Sequence, residues 1–192
     1  MSINADIHKY GYSPKGSSVL VYRNSKIRRN QFFTFSTWPG GIYISSTALG
    51  SKNGGCISSA WGSLLDLGEE GFMKQTEEIL KCVEKICNFI NEHADLELLA
   101  DPHSTIISFK CKDLNTYKFC DALKARGYFV EVQSNPDSIH LSIMPQHCRI
   151  VDELISKMKE AIEEIKWNEN LYESGTKAVY GSMAKIPDEE IV

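Results

Sequence analysis

Two lysines stand close together near the start of the chain, in the segment ADIHKYGYSPKGSS that covers residues 5–18. Lys9 directly follows His8, and Lys15 lies between a proline and a glycine. A lysine amine is a nucleophile only when unprotonated, and nearby positive charge or burial lowers its pKa toward that state. If both amines converge on one pocket, Lys9 is a candidate nucleophile and Lys15 a candidate anion clamp. The alternative is that both are solvated, as most loop lysines are.

A second segment of interest is WPGGIYISSTALGSKNGG, residues 38–55, which is dense in glycine and hydroxyl side chains. Glycines let a backbone approach a bound anion closely, so this segment is a candidate anion-binding loop, with a plain surface loop as the alternative. The remaining histidines show no spacing typical of a metal site or a catalytic triad. We expect no metal and read these histidines as structural or exposed: His93, His103, His140 and His147.

The elements that must position these residues follow from the sequence pattern. A strand is predicted from Ser17 to Tyr22, and the string RNSK predicts a turn into a second strand at NQFFTF, which together give a hairpin. The string CISSAWGSLLDLG predicts a short apolar helix that ends at Gly68, and a longer helix begins at Glu69. One face of this second helix carries Phe72, Ile79, Val83, Ile86 and Ile90 at helical spacing.

The rest of the chain predicts a small α+β layer of three strands and flanking helices. Strands are expected at Thr105 to Phe109, at Tyr128 to Val132, and where Ile139, Leu141 and Ile143 alternate. A helix capped by Asp113 and ended by Gly127 lies between the first two strands. An amphipathic helix with Ile150, Leu154, Met158, Ile162 and Ile165 on one face follows, and the tail from Tyr172 to Val192 is expected to be irregular.

Composition limits the classes of function. The chain has 192 residues, 42% of them hydrophobic, which is enough for one or two domains with a real core. Its net charge of −4 argues against nucleic acid as the main partner. The six cysteines form no CxxC pair, so reduced, mostly buried thiols in a cytosolic compartment are expected. No apolar run approaches the ~18 residues of a membrane span.

The motifs resemble the group II pyridoxal-phosphate-dependent decarboxylase family. HKYGYSPKGSS is similar to the family's D-x-H-K segment, which ends a strand and whose lysine holds the cofactor as a Schiff base. QFF, WPGGIY and GSKNGG follow in the family's order, and GEEGF, SIH and AVYGSMA continue the similarity. The resemblance implies an α/β fold, fold type I of the pyridoxal-phosphate-dependent transferases. Residues 1–67 would be the end of the large cofactor domain, and residues 68–192 the small carboxyl-terminal α+β domain.

The resemblance also implies roles for individual residues. Lys9 would bond to pyridoxal 5'-phosphate and later move protons on the substrate, and His8 would lie against the cofactor. Residues implied at the cofactor are Lys9, His8, Ser46, Thr47 and Gly50, the last three with the glycines Gly54 and Gly55 near the site of the same or a neighbouring subunit. Residues implied at a substrate phosphate are Lys15, Tyr43 and Lys52. Lys52 departs from the family pattern, which has arginine there, and a lysine binds an anion as a point charge rather than as a fork.

Within the family, the closest pattern belongs to enzymes that cleave sphingoid-base 1-phosphates to a long-chain aldehyde and phosphoethanolamine. Lys15 suits this reaction because the substrate carries a phosphate. Two alternatives stay open: an amino-acid decarboxylase on the same scaffold, and a non-catalytic fragment. Family members have a long region before the lysine, so the chain resembles their carboxyl-terminal half and is expected to be inactive alone, whether as a truncated product, an expressed fragment or part of a split protein.

The resemblance implies a homodimer in the full-length enzyme. It also implies the endoplasmic reticulum membrane, with the active site facing the cytosol and membrane attachment only through an amino-terminal anchor that this sequence lacks.

Overall fold

The computed structural model describes residues 1–168, 170–173 and 175–176, which fall into two compact units, Met1–Phe72 and the described residues from Met73 onward. The boundary between the units lies close to the domain boundary expected after Leu67. That the units are the implied large-domain segment and small domain stays a prediction. The AVYGSMA string and most of the tail expected to be irregular lie outside the described residues.

The first unit is built from short strands. It contains β1 (Ser2–Ala5), β2 (Val19–Tyr22), α1 (Ser25–Arg28), a 3-10 turn (Arg29–Gln31), β3 (Phe33–Phe35), β4 (Tyr43–Ser45) and the start of α2 (Gly54–Glu92). β1 pairs antiparallel with β2, with Ala5 opposite Val19, and β3 pairs antiparallel with β4, with Phe33 opposite Ser45. The unit therefore holds two separate two-stranded sheets.

The predicted hairpin between the second and third strands is wrong. Residues RNSK do not turn the chain back, because the Asn24 side chain accepts a hydrogen bond from the Ile27 amide and so caps the helical turn α1. Each strand then finds another partner: β2 pairs with β1 and β3 with β4. Three basic residues, Lys26, Arg28 and Arg29, lie on this helical segment.

Helix α2 contains the break that the sequence predicts. Gly68 has φ of 60° and ψ of 179°, a conformation that is essentially restricted to glycine, so the helix is kinked there into two segments. After the kink, Ile79, Val83, Ile86 and Ile90 are buried as expected, whereas Phe72 is only partly buried.

The second unit is a four-stranded antiparallel sheet with helices. Its elements are the rest of α2, β5 (Leu96–Leu98), β6 (Ile106–Cys111), α3 (Thr116–Ala125), β7 (Glu131–Gln133), β8 (Ser138–Ser142), a 3-10 helix (Pro145–Arg149) and α4 (Val151–Trp167). The strand order is β5-β6-β8-β7, so the sheet has one strand more than predicted. The helix cap expected at Asp113 is instead Asn115, whose side chain accepts from the Lys118 amide.

The hydrophobic core lies in this second unit. Ile107, Phe109 and Ile139 of the sheet pack with Phe119 of α3 and Met158 of α4, and all five are fully buried. All six cysteines are free thiols, and four are buried. Burial raises the pKa of Cys111 to about 12, because a thiolate loses its hydration there, so these thiols act as small hydrophobic groups. Among the described residues, no helix is long and apolar enough to cross a membrane.

Candidate active site

The loop that joins β1 to β2 carries the Lys9 motif, and it is fixed to helix α2. The Ser63 hydroxyl donates a hydrogen bond to the Gly11 carbonyl, and the Tyr12 ring stacks on Phe72 with centroids 6.1 Å apart. Gly11 admits no side chain, because a Cβ there would lie 2.6 Å from the Ile7 carbonyl oxygen. Gly11 and Tyr12 of the motif therefore dock the loop on the helix.

Lys9 lies in a turn just after β1, so the D-x-H-K motif does end a strand, as the resemblance implied. The Lys9 amide donates to the Asp6 carbonyl at 2.9 Å, and this turn brings Lys9 Nζ to 2.8 Å from Asp6 Oδ2. The Lys9 side chain keeps 65% of its surface exposed, so its amine is open to a reactant.

The Asp6 carboxylate changes the expected electrostatics of Lys9. Its hydrogen bond and negative charge raise the pKa of Lys9, and the same hydrogen bond lowers the pKa of Asp6. The idea that neighbouring positive charge lowers the pKa of Lys9 is therefore wrong for this structure. The reason is distance: the Asp6 carboxylate contacts the Lys9 amine, whereas the His8 ring is bonded to the Ser17 carbonyl and Lys15 lies further along the loop.

His8 is held by Ser17, which lies in the loop just before β2. Its Nδ1 lies 2.7 Å from the Ser17 carbonyl oxygen, which can only accept, so Nδ1 carries the proton of this hydrogen bond. Nε2 is then 3.9 Å from Asp6 Oδ2. The imidazole is fixed in orientation by Ser17, and its second nitrogen faces the same carboxylate that Lys9 contacts.

A cleft of about 480 Å³ opens beside Lys9. It is lined by Asn4, Ala5, Asp6, Ile7, Lys9, Tyr10, Gly11, Leu64 and Phe72. Its volume falls in the range of small-molecule sites, and its wall combines one amine, one carboxylate and one amide with apolar surface from α2. An exposed amine at the edge of such a cleft is what covalent attachment of an aldehyde cofactor requires.

The other predicted site residues form a second group. The Thr47 hydroxyl donates to the Gln31 carbonyl at 2.7 Å, and Gln31 Nε2 donates to the Ser46 carbonyl at 2.9 Å, so this corner is tied to the turn before β3. Thr47 has a φ of 53°, which is a left-handed backbone conformation. The Tyr43 ring packs edge-on against the Trp38 ring, with ring centroids 6.1 Å apart. Gly50 and Lys52 are exposed in the loop that follows.

Lys15 is placed by its backbone rather than by its amine. Its carbonyl accepts a hydrogen bond from the Cys56 thiol at 3.6 Å near the start of α2, and its side chain is exposed. The structure thus gathers Asp6, His8 and Lys9 in one place. It ties Ser46 and Thr47 to Gln31, and it assigns Lys15 and Lys52 no contact of their amines within the described residues.

Sequence reasoning missed the role of Asp6, although it is part of the D-x-H-K motif. The signal was its spacing, because residues three apart meet in a turn or helix. Of the histidines expected to be structural or exposed, His93 lies 3.4 Å from Asp95 Oδ2, and Nδ1 of His147 accepts from the Met144 amide at 3.0 Å. No cluster of metal-ligating side chains occurs among the residues that the structure describes.

Known proteins of one kind resemble the chain in sequence. No model of a protein family matches the chain. The chain is 35% identical over 191 residues to sphingosine-1-phosphate lyase of Arabidopsis thaliana, and 34% identical over 193 residues to sphingosine-1-phosphate lyase 1 of Rattus norvegicus. Both alignments cover 100% of this chain, but they cover 35% and 34% of the relatives. The chain therefore spans about a third of the length of the curated relatives it matches.

Solved structures support the same relationship. The sphingosine-1-phosphate lyase of Burkholderia pseudomallei matches 96% of this chain and 41% of its own with a TM-score of 0.77 at 27% identity. Glutamate decarboxylase of Lactobacillus brevis matches 85% of this chain and 40% of its own with a TM-score of 0.67 at 18% identity, which shows a shared fold. The chain therefore shares part of the fold of type I pyridoxal-phosphate-dependent enzymes, and over its whole length it is similar in sequence to about a third of sphingosine-1-phosphate lyase.

Proposed function

We propose that the protein to which this chain belongs is a pyridoxal-phosphate-dependent lyase that cleaves sphingoid-base 1-phosphates to a long-chain aldehyde and phosphoethanolamine. The observation that carries the proposal is Lys9: an exposed amine at the end of β1, beside a cleft, in a chain homologous to sphingosine-1-phosphate lyase. Lys9 is the residue proposed to bond to the cofactor aldehyde.

The residues around Lys9 fit this role. Pyridoxal phosphate, when bound, supplies the electron sink for breaking a carbon–carbon bond. Asp6 holds the protonated Lys9 amine in place at 2.8 Å, and its charge raises the pKa of that amine. His8, fixed by the Ser17 carbonyl, presents Nε2 toward Asp6 at 3.9 Å. Asp6 thus orients the Lys9 amine at the edge of the cleft.

The phosphate-binding residues are proposed from the resemblance and from their chemistry. Lys15 and Lys52 have exposed amines, which suits recognition of a phosphate as a point charge. Tyr43 has a hydroxyl on an exposed strand of the first unit. Ser46, Thr47 and Gly50 are proposed to face the cofactor of the same or a neighbouring subunit, with the Gln31 hydrogen bonds holding the Ser46–Thr47 corner in shape.

We also propose a homodimer and a location at the endoplasmic reticulum membrane, with the site facing the cytosol. Support for the dimer comes from the first unit, whose strands carry exposed aromatic residues such as Phe33, Phe35 and Tyr43. The proposed location rests on the resemblance alone.

The cofactor assignment is tested by covalent labelling. The protein, expressed as its gene encodes it, is incubated with pyridoxal phosphate, reduced with borohydride and digested, and the modified peptide is identified by mass spectrometry. We expect the label on Lys9, and we expect Lys9→Ala to lose both the label and the visible absorbance of the bound cofactor. Persistent absorbance in Lys9→Ala would contradict the assignment.

The substrate assignment is tested with Lys15→Ala as the matched lysine variant. We expect labelling of Lys9 to survive this change, while turnover of a phosphorylated sphingoid base falls by on the order of 100-fold, because a charged hydrogen bond to the phosphate is lost. If labelling of Lys9 fell as much as turnover, Lys15 would instead be assigned to the cofactor phosphate. Carbon dioxide release from an amino acid, with no aldehyde from the phosphorylated base, would favour the decarboxylase alternative.

A further inference from the structure

Two free cysteines of the second unit lie on elements that pack together, and the proposed lyase chemistry uses neither of them. Cys82 belongs to helix α2, and Cys148 belongs to the 3-10 helix that precedes α4. Cys82 is part of the hydrophobic core of this unit, and Cys148 packs against that core. The two cysteines are far apart in the sequence, so the fold has to bring them together.

Contacts on both sides of Cys82 hold the 3-10 helix and α4 against α2. One turn before Cys82, the Glu78 carbonyl accepts a hydrogen bond from the Cys148 thiol at 3.7 Å. One turn after Cys82, the Lys85 amine lies 2.6 Å from Oδ1 of Asp152 in the first turn of α4. Residues three and four apart share one face of a helix, so Cys82 lies on the face of α2 that Cys148 contacts.

The two thiols interact directly. Side chains in a helix lean toward its amino-terminal end, so the Cys82 side chain lies over the turn of Glu78, where the Cys148 sulfur is located. Burial, followed by the interaction with Cys148, raises the pKa of Cys82 to about 12, so Cys82 keeps its proton at neutral pH. Cys82 is therefore a protonated thiol next to a second thiol.

The two thiols differ in their access to solvent. Cys148 is partly exposed, whereas only 4% of the Cys82 surface is exposed. A small oxidant dissolved in water therefore reaches Cys148 first. Cysteines that respond to oxidants are accessible and often lie next to a second cysteine that resolves the oxidised form, and this pair has both features.

We propose that Cys148 is a site of oxidation by peroxides, and that Cys82 converts the oxidised residue into a disulfide between α2 and the 3-10 helix. With hydrogen peroxide, the Cys148 thiolate attacks one oxygen and the O–O bond breaks. Cys148 becomes a sulfenic acid, and the other oxygen leaves as water with the proton that Cys148 lost. The Cys82 sulfur then attacks the Cys148 sulfur, the S–O bond breaks, and the hydroxide leaves as water with the Cys82 proton.

The electrons balance, because two thiols together lose two electrons and one peroxide molecule gains two to become two water molecules. The site does not depend on the proposed lyase function, since neither cysteine belongs to the unit that carries Lys9.

The test treats the fully reduced full chain with hydrogen peroxide. Remaining thiols are alkylated under denaturing conditions, and the monomer band of a non-reducing gel is digested for mass spectrometry. We expect two peptides joined through Cys82 and Cys148, which dithiothreitol separates. Absence of the joined peptides, or Cys148 disulfides found only between two chains, would overturn the proposal.

A second pair of cysteines is an internal control. The Cys111 and Cys120 thiols also interact, but both are buried. They should stay reduced under conditions that oxidise Cys148, because the peroxide reaches neither sulfur. Oxidation of Cys111 and Cys120 as fast as that of Cys148 would contradict the proposal, since solvent access would then not select the reacting thiol.

Trapping of the sulfenic acid separates the two steps. Cys82→Ser removes the resolving thiol, so dimedone, which reacts with sulfenic acids, should label Cys148 severalfold more than in the wild-type chain. Cys87→Ser replaces another buried cysteine of α2 and should keep the joined peptides. If Cys82→Ser does not fold, Cys82→Ala, which leaves no buried hydroxyl, takes its place. Equal dimedone labelling of Cys148 with and without the Cys82 thiol would refute the assignment of Cys82.

Discussion

The two units bury their hydrophobic residues very differently. Every buried hydrophobic residue from Ile79 to Ile165 lies in the second unit, and residues 1–72 contain none. The first unit instead exposes large side chains on its strands and on the first segment of α2, including Phe33, Ile44 and Trp61. The second unit has the contacts of an independent domain, whereas the first has a shape fixed mainly by hydrogen bonds and short sheets.

This difference shows what each unit needs. A core such as that of Phe109, Phe119 and Met158 stabilises its own elements. The first unit positions Lys9 by docking a loop on α2, but its apolar strands require another surface to cover them. The residues proposed for chemistry thus lie in the unit with exposed apolar strands, and the unit with the buried core carries none of the residues proposed to bind the cofactor.

The largest effect is expected from separating the units. The full 192-residue chain should self-associate through residues 1–72. Each strand of its two-stranded sheets, such as VLVY in β2, has one unpaired edge and exposed apolar side chains. A fragment that begins near Gly68 should be soluble and monomeric. Sedimentation velocity of both proteins at several concentrations measures this. A monomeric full chain that also cleaves a sphingoid-base phosphate would contradict both this expectation and the view of the chain as a partial enzyme.

The next largest effect is expected from matched phenylalanine substitutions in the two units. Phe119 is fully buried, so Phe119→Ala should lower the free energy of unfolding by about 3–5 kcal/mol. This loss is the sum of the transfer free energy of the removed ring and the cost of the cavity that it leaves. Phe35 is 43% exposed on β3, so Phe35→Ala should change it by less than about 1 kcal/mol. Urea denaturation followed by circular dichroism gives both values. Similar losses for the two variants would show that the first unit has a core of its own.

The sequence predicted the second unit better than the first, and the reason is burial. The alternation of Ile139 and Leu141 and the spacing of Leu154, Met158 and Ile162 are imposed by one shared core, so they can be read locally. Pairing in the first unit depends on distant partners: nothing within VLVY indicates that β1 is its neighbour. Strand β5, Leu96–Leu98, was missed because three residues show no period.

The assignment of Lys9 and His8 to the site stays a prediction, whereas the expected electrostatics of Lys9 were wrong. The turn that brings Asp6 against Lys9 reversed the expected direction of the lysine's pKa. Contacts of this kind depend on the path of a few backbone bonds. The placement of Ser46 and Thr47 against Gln31 depends equally on the β3–β4 pairing, which the sequence did not predict.

A smaller effect is expected from two glycines of α2 in the first unit. Gly68→Ala places a side chain on a backbone at φ of 60° and ψ of 179°, so it should destabilise the kink by about 1–3 kcal/mol. Gly62 lies within the helix and a Cβ there would meet nothing within 4 Å, so Gly62→Ala should instead stabilise by about 0.5–1 kcal/mol. Opposite shifts in the thermal midpoint check both, and a neutral Gly68→Ala would mean that the kink can straighten.

The smallest effect concerns the pair of Asp6 and Lys9. Because the Asp6 carboxylate raises the pKa of Lys9, the unprotonated amine that attacks an aldehyde becomes abundant only at higher pH. Asp6→Asn keeps the side-chain size but removes the charge, so the pH profile for covalent attachment of pyridoxal phosphate to Lys9 should move toward lower pH.

The sign of the pair's effect on stability can be checked in the same protein. The stabilisation that Lys9 contributes to the folded state is fully present below the pKa that the lysine has in the unfolded chain. It is lost as pH rises through the raised pKa of Lys9 in the folded state. The Asp6 contribution is present above the unfolded pKa of an aspartate and is lost as pH falls through its lowered folded pKa. Between these limits the ion pair of Asp6 and Lys9 is intact. Exposed ion pairs contribute little to the free energy of unfolding, so Asp6→Asn should change the rate of cofactor attachment without a large change in stability. Asp113→Asn, in an exposed loop of the second unit, is the control and should leave the profile unchanged. A profile that stays in place in Asp6→Asn would show that the carboxylate does not govern the Lys9 amine.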